Sequence, residues 1–107
     1  MTDQWQTLAS LVDWLNRSNG TSDHETAIRV MKVGEEFGEA VAAYVGMTGQ
    51  NPRKGITHSA EDVAGELVDV AVTALVALHS FTRDPRGTFE AKLARIADRV
   101  ATAEKSP

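Results

Sequence analysis

Apolar residues recur every three or four positions along most of the chain, and no segment shows the strict alternation typical of a β-strand. Glycine and proline residues separate the periodic segments. The pattern predicts four helices, over residues 4–17, 22–45, 59–80 and 88–102. We therefore expect an all-α fold, a bundle of four to five helices that forms a single domain over residues 1–107, with a frayed tail at 103–107.

Two helix starts carry capping signals. Ser22 and Glu25 have the spacing of a capping box, in which each side chain bonds the other residue's amide. Asp84 can cap the last helix and Pro85 can occupy its first turn, where no amide hydrogen is needed.

The third predicted helix is apolar around nearly its whole circumference, which is typical of a buried helix. The exception is a stripe about 60° wide, at 3.6 residues per turn, that carries Asp62, Glu66, Asp69 and Thr73. An unpaired carboxylate is costly to bury, so either a metal cation or a basic partner must compensate.

The second predicted helix has a matching acidic face that contains Glu35, Glu36 and Glu39. Side chains three residues apart share a helix face, so Glu36 with Glu39 and Glu66 with Asp69 each form a pair of ligands. If the two helices pack antiparallel, the four carboxylates converge. Oxygen ligands without Cys or His favour Mg²⁺ or Mn²⁺ over zinc. A solvated face is the competing interpretation, and it is the commoner one for the second helix taken alone.

Composition narrows the class of protein. The 15 acidic residues exceed the 11 basic ones, which gives a net charge of −4 and argues against a nucleic-acid partner. The absence of cysteine excludes disulfides and thiolate zinc sites. The first residues lack the features of a signal peptide, and the longest apolar run, residues 70–78, is too short to span a membrane. We expect a cytoplasmic protein without a membrane partner.

The acidic residues of the second and third helices lie in two short motifs. The two motifs in this order are a more specific signal than either motif alone. Residues 31–39 read MKVGEEFGE and residues 65–70 read GELVDV. Together they resemble the E-E-x-x-E and E-x-x-D signature of MazG-like proteins, in the all-α nucleoside triphosphate pyrophosphatase superfamily, and the similarity covers about residues 22–80. The resemblance implies a MazG-like fold that holds Mg²⁺ and hydrolyses a (d)NTP to a (d)NMP and pyrophosphate. The family's metal ligands match Glu36, Glu39, Glu66 and Asp69.

Further roles follow from the resemblance and from charge. Glu35 matches the family's leading acid, whose role is a further ligand, a hydrogen-bond acceptor behind the ligands or a group that orients water. Lys32, Arg53 and Lys54 are candidate phosphate contacts. A helix ion pair is at least as good an interpretation of Lys32, and an exposed loop explains the other two equally well.

Two residues are candidates for contact with the base. Trp14 lies on the opposite side of the first helix from Trp5, at a position open to a nucleotide or an interface. His58 precedes the third helix and can reach a base or a phosphate, although such a residue is more often a surface one.

Two alternative functions remain open. Phosphoribosyl-ATP pyrophosphatase shares the Lys-Val-Gly-Glu-Glu segment, but it typically has Ala-Asp-Leu and then Tyr-His where residues 68–72 read VDVAV. The second alternative function is that of a non-catalytic helical interaction module.

The apolar circumference of the third helix exceeds what three short helices of one chain can cover. We therefore expect a homo-oligomer, a dimer or dimer of dimers, in which the second and third helices of two chains form a four-helix core.

Overall fold

The computed structural model describes residues 3–105, which form four helices and no strand. The helices are α1 (Gln4–Asn19), α2 (Asp23–Thr48), α3 (Ala60–Leu78) and α4 (Pro85–Lys105). The predicted all-α class and the number of helices are confirmed. α4 is longer than predicted at both ends, because it begins at Pro85 and includes residues 103–105 of the expected tail; residues 106–107 of that tail lie outside the described residues. None of the helices in this range is long and apolar enough to cross a membrane.

Side-chain caps fix the starts of α3 and α4. At α3 the amide of Ser59 donates to the Asp62 carboxylate at 2.8 Å, and the amide of Asp62 donates to the Ser59 hydroxyl at 3.2 Å. At α4 the amide of Gly87 donates to the Asp84 carboxylate at 3.0 Å, and Pro85 lies in the first turn, as predicted. These bonds satisfy amides that have no partner within the helix.

The predicted capping box at α2 is only half formed. The amide of Glu25 donates to the Ser22 hydroxyl at 3.1 Å, but the Glu25 carboxylate accepts from Arg29 Nε at 2.8 Å instead of returning to the cap. Arg29 is only 5% exposed and also donates to Asn16 Oδ1 at 2.9 Å and to the Gly20 carbonyl at 3.2 Å. The hydrogen bond from Arg29 lowers the pKa of Glu25. This network joins the end of α1 to the first turns of α2.

α2 and α3 form an antiparallel pair. At one end of the pair, Ile28 of α2 and Val76 of α3 line the same cavity. Further along the pair, the carboxylates of Glu36 and Glu66 lie close together. At the other end, near the connecting loop, the amide of Thr57 donates to the Gly46 carbonyl at 2.9 Å. A β-carbon at Gly46 would collide with the side chains of the loop, including His58, so this close approach requires glycine. The antiparallel packing on which the convergence of the carboxylates depends is therefore present.

The buried core of the described chain is small. Leu8 and Val12 of α1 pack with Val76 of α3, and four partly buried residues surround them: Trp5, Leu15, Val72 and Leu75. Ala40 and Ala43 are the buried apolar residues of α2, and their small side chains allow a neighbouring helix to approach closely. Trp5 therefore contributes to the core.

A large apolar surface remains outside this core. The radius of gyration is 17.6 Å, whereas a compact domain of this length has about 13 Å. Leu67 and Val68 of α3 are 52% and 60% exposed, so the single chain does not cover the apolar circumference of this helix, as its sequence indicated. α4 has no buried residue and meets the start of α1 through the Trp5 and Phe89 rings, 5.7 Å apart, and an Arg86–Asp3 ion pair at 3.8 Å.

Candidate metal site

Three of the four predicted ligands converge between α2 and α3. Glu36, Glu39 and Glu66 each place one carboxylate oxygen within 4.8 Å of the other two. The first two residues share a face of α2 because they are three positions apart, and Glu66 faces them from α3. Glu36 and Glu66 are half-buried and Glu39 is exposed, so one side of the cluster is open to solvent.

The cluster carries electrostatic strain that a cation would relieve. Glu66 Oε2 is buried and has no hydrogen-bond partner among the described residues. Partial burial raises the pKa of Glu36, and the nearby charges of Glu39 and Asp69 raise it further. Desolvation and like charges both disfavour an ionised carboxylate, and a bound cation reverses both effects.

Asp69 and Glu35 lie at the edge of the cluster. Asp69 is exposed and lines an open groove together with Glu66, close enough for its charge to act on Glu36. The Glu35 side chain is 62% exposed and forms an ion pair with Lys32 at 3.9 Å. The helix ion pair that the sequence offered as an interpretation of Lys32 is therefore present, with Glu35 as its partner.

The acidic stripe of α3 divides into two structural roles. Asp62 belongs to the capping box with Ser59, whose hydrogen bonds lower the pKa of Asp62, and it is not part of the carboxylate cluster. Glu61 falls off the stripe on a helical wheel, yet it lines the same groove as Glu66. The loop before α3 forms the other wall of that groove, and no helical period could have indicated this.

The donors fit a hard divalent cation. All three ligands are carboxylates, and neither His nor Cys belongs to the cluster among the described residues. Oxygens bound to one Mg²⁺ at about 2.1 Å are at most about 4.2 Å apart. The three carboxylate oxygens lie within 4.8 Å of one another, so small side-chain rotations are enough to bring all of them into this range. The residues therefore fit Mg²⁺ or Mn²⁺, and the Asp69 carboxylate lies close to them outside the cluster.

Two concave regions adjoin the cluster on opposite sides. A cavity of about 250 Å³ lies between α1, α2 and α3, and its lining includes Lys32 and Thr73, one helical turn from Glu36 and Asp69 respectively. The groove that contains Glu66 and Asp69 opens on the other side and is bordered by His58. The cluster thus lies between a largely apolar cavity and an open polar groove.

The remaining candidate residues are placed differently. Lys54 lines a loop cavity that also includes His58, so one cationic side chain lies close to the groove. Arg53 is exposed, and its amide donates to Asn51 Oδ1 at 3.0 Å. Trp14 is 57% exposed and is not among the residues that line the 250 Å³ cavity, whereas its neighbour Leu15 is.

Comparisons with known proteins add nothing to this geometry. No family model matches the chain, and neither the curated proteins nor the solved structures provide a match. The case for a function therefore comes from the site itself.

Proposed function

We propose that this protein is a Mg²⁺-dependent nucleoside triphosphate pyrophosphohydrolase of the MazG-like kind, which converts a (d)NTP to a (d)NMP and pyrophosphate. The observation that carries the proposal is the convergence of Glu36, Glu39 and Glu66 around a buried oxygen without a hydrogen-bond partner. The order of the acidic motifs in residues 31–39 and 65–70 supports the same assignment.

The side chains of the site have distinct proposed roles. Glu36, Glu39, Glu66 and Asp69 hold the cation, which when bound neutralises phosphate charge and lowers the pKa of a coordinated water. Glu35 lies beside these ligands with its carboxylate largely exposed, where it can accept a hydrogen bond from the attacking water.

The surroundings provide a place for each end of a nucleotide. The cavity that contains Lys32 and Thr73 has about 250 Å³ and mainly apolar walls, including Leu15, Ile28 and Val76. It is close in size to the lower limit of ligand pockets, about 300 Å³. We place the nucleoside there and the phosphates across the carboxylate cluster.

Cationic side chains can then contact the phosphates from two sides. Lys32 borders the nucleoside cavity, and Lys54 borders the loop next to the groove, with Arg53 adjacent to it in sequence. His58 lies where groove and loop meet, which favours a contact with phosphate over one with the base. Trp14 stays exposed beside the cavity wall, so its contact with a base would need a movement of α1 or a second chain.

The proposal includes self-association through α2 and α3. Both helices expose large apolar side chains away from their acidic residues: Val30, Phe37, Val41, Tyr44, Leu67 and Val68. Such a surface is larger than the scattered apolar residues that a monomer exposes. A second copy that packs the same two helices against it would complete a four-helix core.

Magnesium should raise the thermal stability of the protein. An ion that binds the folded state alone stabilises it by mass action, by about 2.7 kcal/mol at a hundredfold excess over its dissociation constant. The gain should shrink in acid, because the pKa of Glu36 is raised and a proton there competes with the ion. Melting curves with and without millimolar Mg²⁺ at two pH values measure this, and identical curves would argue against the site.

Pyrophosphate release tests the activity directly. We expect the purified protein to release pyrophosphate and a nucleoside monophosphate from at least one member of a panel of canonical and modified (d)NTPs, in the presence of Mg²⁺ and not of EDTA. The panel includes phosphoribosyl-ATP, because turnover of this substrate would indicate the alternative phosphoribosyl-ATP pyrophosphatase activity. If no substrate turns over and no nucleotide binds, a non-catalytic helical module becomes the better assignment.

A further inference from the structure

The apolar face of α4 is uncovered and independent of the α2–α3 surface. Phe89, Leu93, Ile96 and Val100 are each at least 40% exposed, and none of them belongs to the buried core. Phe89 touches the Trp5 ring at the start of the helix, and the Arg86–Asp3 ion pair holds the same end. The last three turns of α4 therefore present a regular apolar strip without a partner in the described chain.

The spacing of this strip is that of a coiled-coil seam. The four residues are separated by four, three and four positions, which places Phe89 and Ile96 at d and Leu93 and Val100 at a of a heptad. Ala103 continues the pattern at the next d position. A helix with such a seam buries it most simply against another helix that has the same period.

The charges beside the seam favour one partner and one orientation. The g positions are Lys92 and Arg99, and Glu104 is the last e position. In a parallel pair, each g residue of one helix faces the e residue five positions later on the other helix. Arg99 of each copy would therefore face Glu104 of the other copy, which gives two such pairs. In an antiparallel pair g edges face g edges, so the basic residues would repel one another.

The ion pairs within the chain leave these charges available. Glu90, the first e residue, already accepts from Arg86 at 3.0 Å. Within residues 3–105 neither Arg99 nor Glu104 has an ion-pair partner. The charges that would select a parallel pair are therefore unpaired in the single chain.

We infer that α4 is a self-association element that pairs in parallel and in register with α4 of a second copy. This contact uses no residue of α2 or α3, so it stands apart from the proposed activity. If both surfaces are used, the chain has two separate interfaces with copies of itself, as a dimer of dimers requires.

Disulfide cross-linking of the full chain tests the register. The chain has no cysteine, so Val100→Cys introduces a single thiol at an a position, where parallel in-register helices bring identical residues close enough to bridge. We expect a disulfide-linked dimer on mild oxidation at micromolar concentration. Ala101→Cys, one position along and off the seam, is the matched control and should cross-link at least about tenfold more slowly.

A charge exchange in the Val100→Cys background separates the orientations. Arg99→Glu should slow cross-linking roughly tenfold, because attraction at two symmetric sites becomes repulsion. Adding Glu104→Arg should restore the rate, and circular dichroism should show that all variants keep their helices. Equal cross-linking of Val100→Cys and Ala101→Cys would overturn the pairing, and faster cross-linking of Arg99→Glu would overturn its orientation. Cross-linking of Val100→Cys only after mixing with a Val41→Cys chain would instead place α4 on α2 of another copy.

Discussion

Glu36→Gln and Asp69→Asn are each expected to reduce pyrophosphate release by at least about a hundredfold, because each removes one charge from the proposed ligand set and leaves the side-chain shape unchanged. The same substitutions should leave the stability of the metal-free protein unchanged or raise it. Partial burial and the charges of Glu39 and Asp69 already disfavour the ionised form of Glu36, so its neutral replacement relieves repulsion. Steady-state assays and metal-free melting curves of the two variants measure these opposite effects.

Asp13→Asn is the matched control for this pair. Asp13 is exposed on α1 and is part of neither the carboxylate cluster nor the groove, so its loss should change neither activity nor Mg²⁺ binding. Structural ion pairs would give the reverse pattern, since removing one partner of a pair leaves the other uncompensated. If both variants melt earlier without metal and still turn over nucleotide, the metal-site assignment is wrong.

Local interactions made much of this fold predictable from sequence. The start of α4 at Asp84 and Pro85 depends on neighbours within three residues, as does the end of α1 at Gly20. The helix ends need no knowledge of distant contacts, which is why a single sequence is enough to predict them. The convergence of Glu36 with Glu66 also depends on the antiparallel packing of two helices, which the sequence could give only as a condition.

The errors have equally specific causes. A helical wheel places Asp62 on the acidic stripe, and only its position three residues after Ser59, at the start of the helix, indicates that this carboxylate caps the helix instead. The groove beside Glu61 depends on how the loop at His58 packs on α3, which is a tertiary contact. The apolar circumference of α3 indicated that one chain cannot cover this helix, and Leu67 and Val68 are indeed exposed, but a helical period cannot show what covers them.

A charged substitution on the exposed apolar face of α2 and α3 is expected to have a large effect on the oligomeric state. Tyr44→Lys should convert the proposed oligomer to smaller species, because the side chain is 55% exposed in the single chain and would be buried in a four-helix core. Burying an uncompensated charge at both symmetric copies should cost about 4 kcal/mol in total, or about a thousandfold in the dissociation constant. Sedimentation at micromolar concentration measures the change.

Met31→Lys is the control. Met31 is also a large side chain on α2 and is 66% exposed. It lies on the side of the helix toward Glu35, away from Val41 and Tyr44. The substitution should leave the oligomer intact. Cross-linking through Val100→Cys tells the two interfaces apart: if α4 pairs on its own, the Tyr44→Lys chain should still form the disulfide and stop at the dimer. A wild-type chain that sediments as a monomer with a cooperative melt would contradict the four-helix core, because a monomer would have to tolerate an apolar face that includes Phe37, Tyr44 and Leu67 in water.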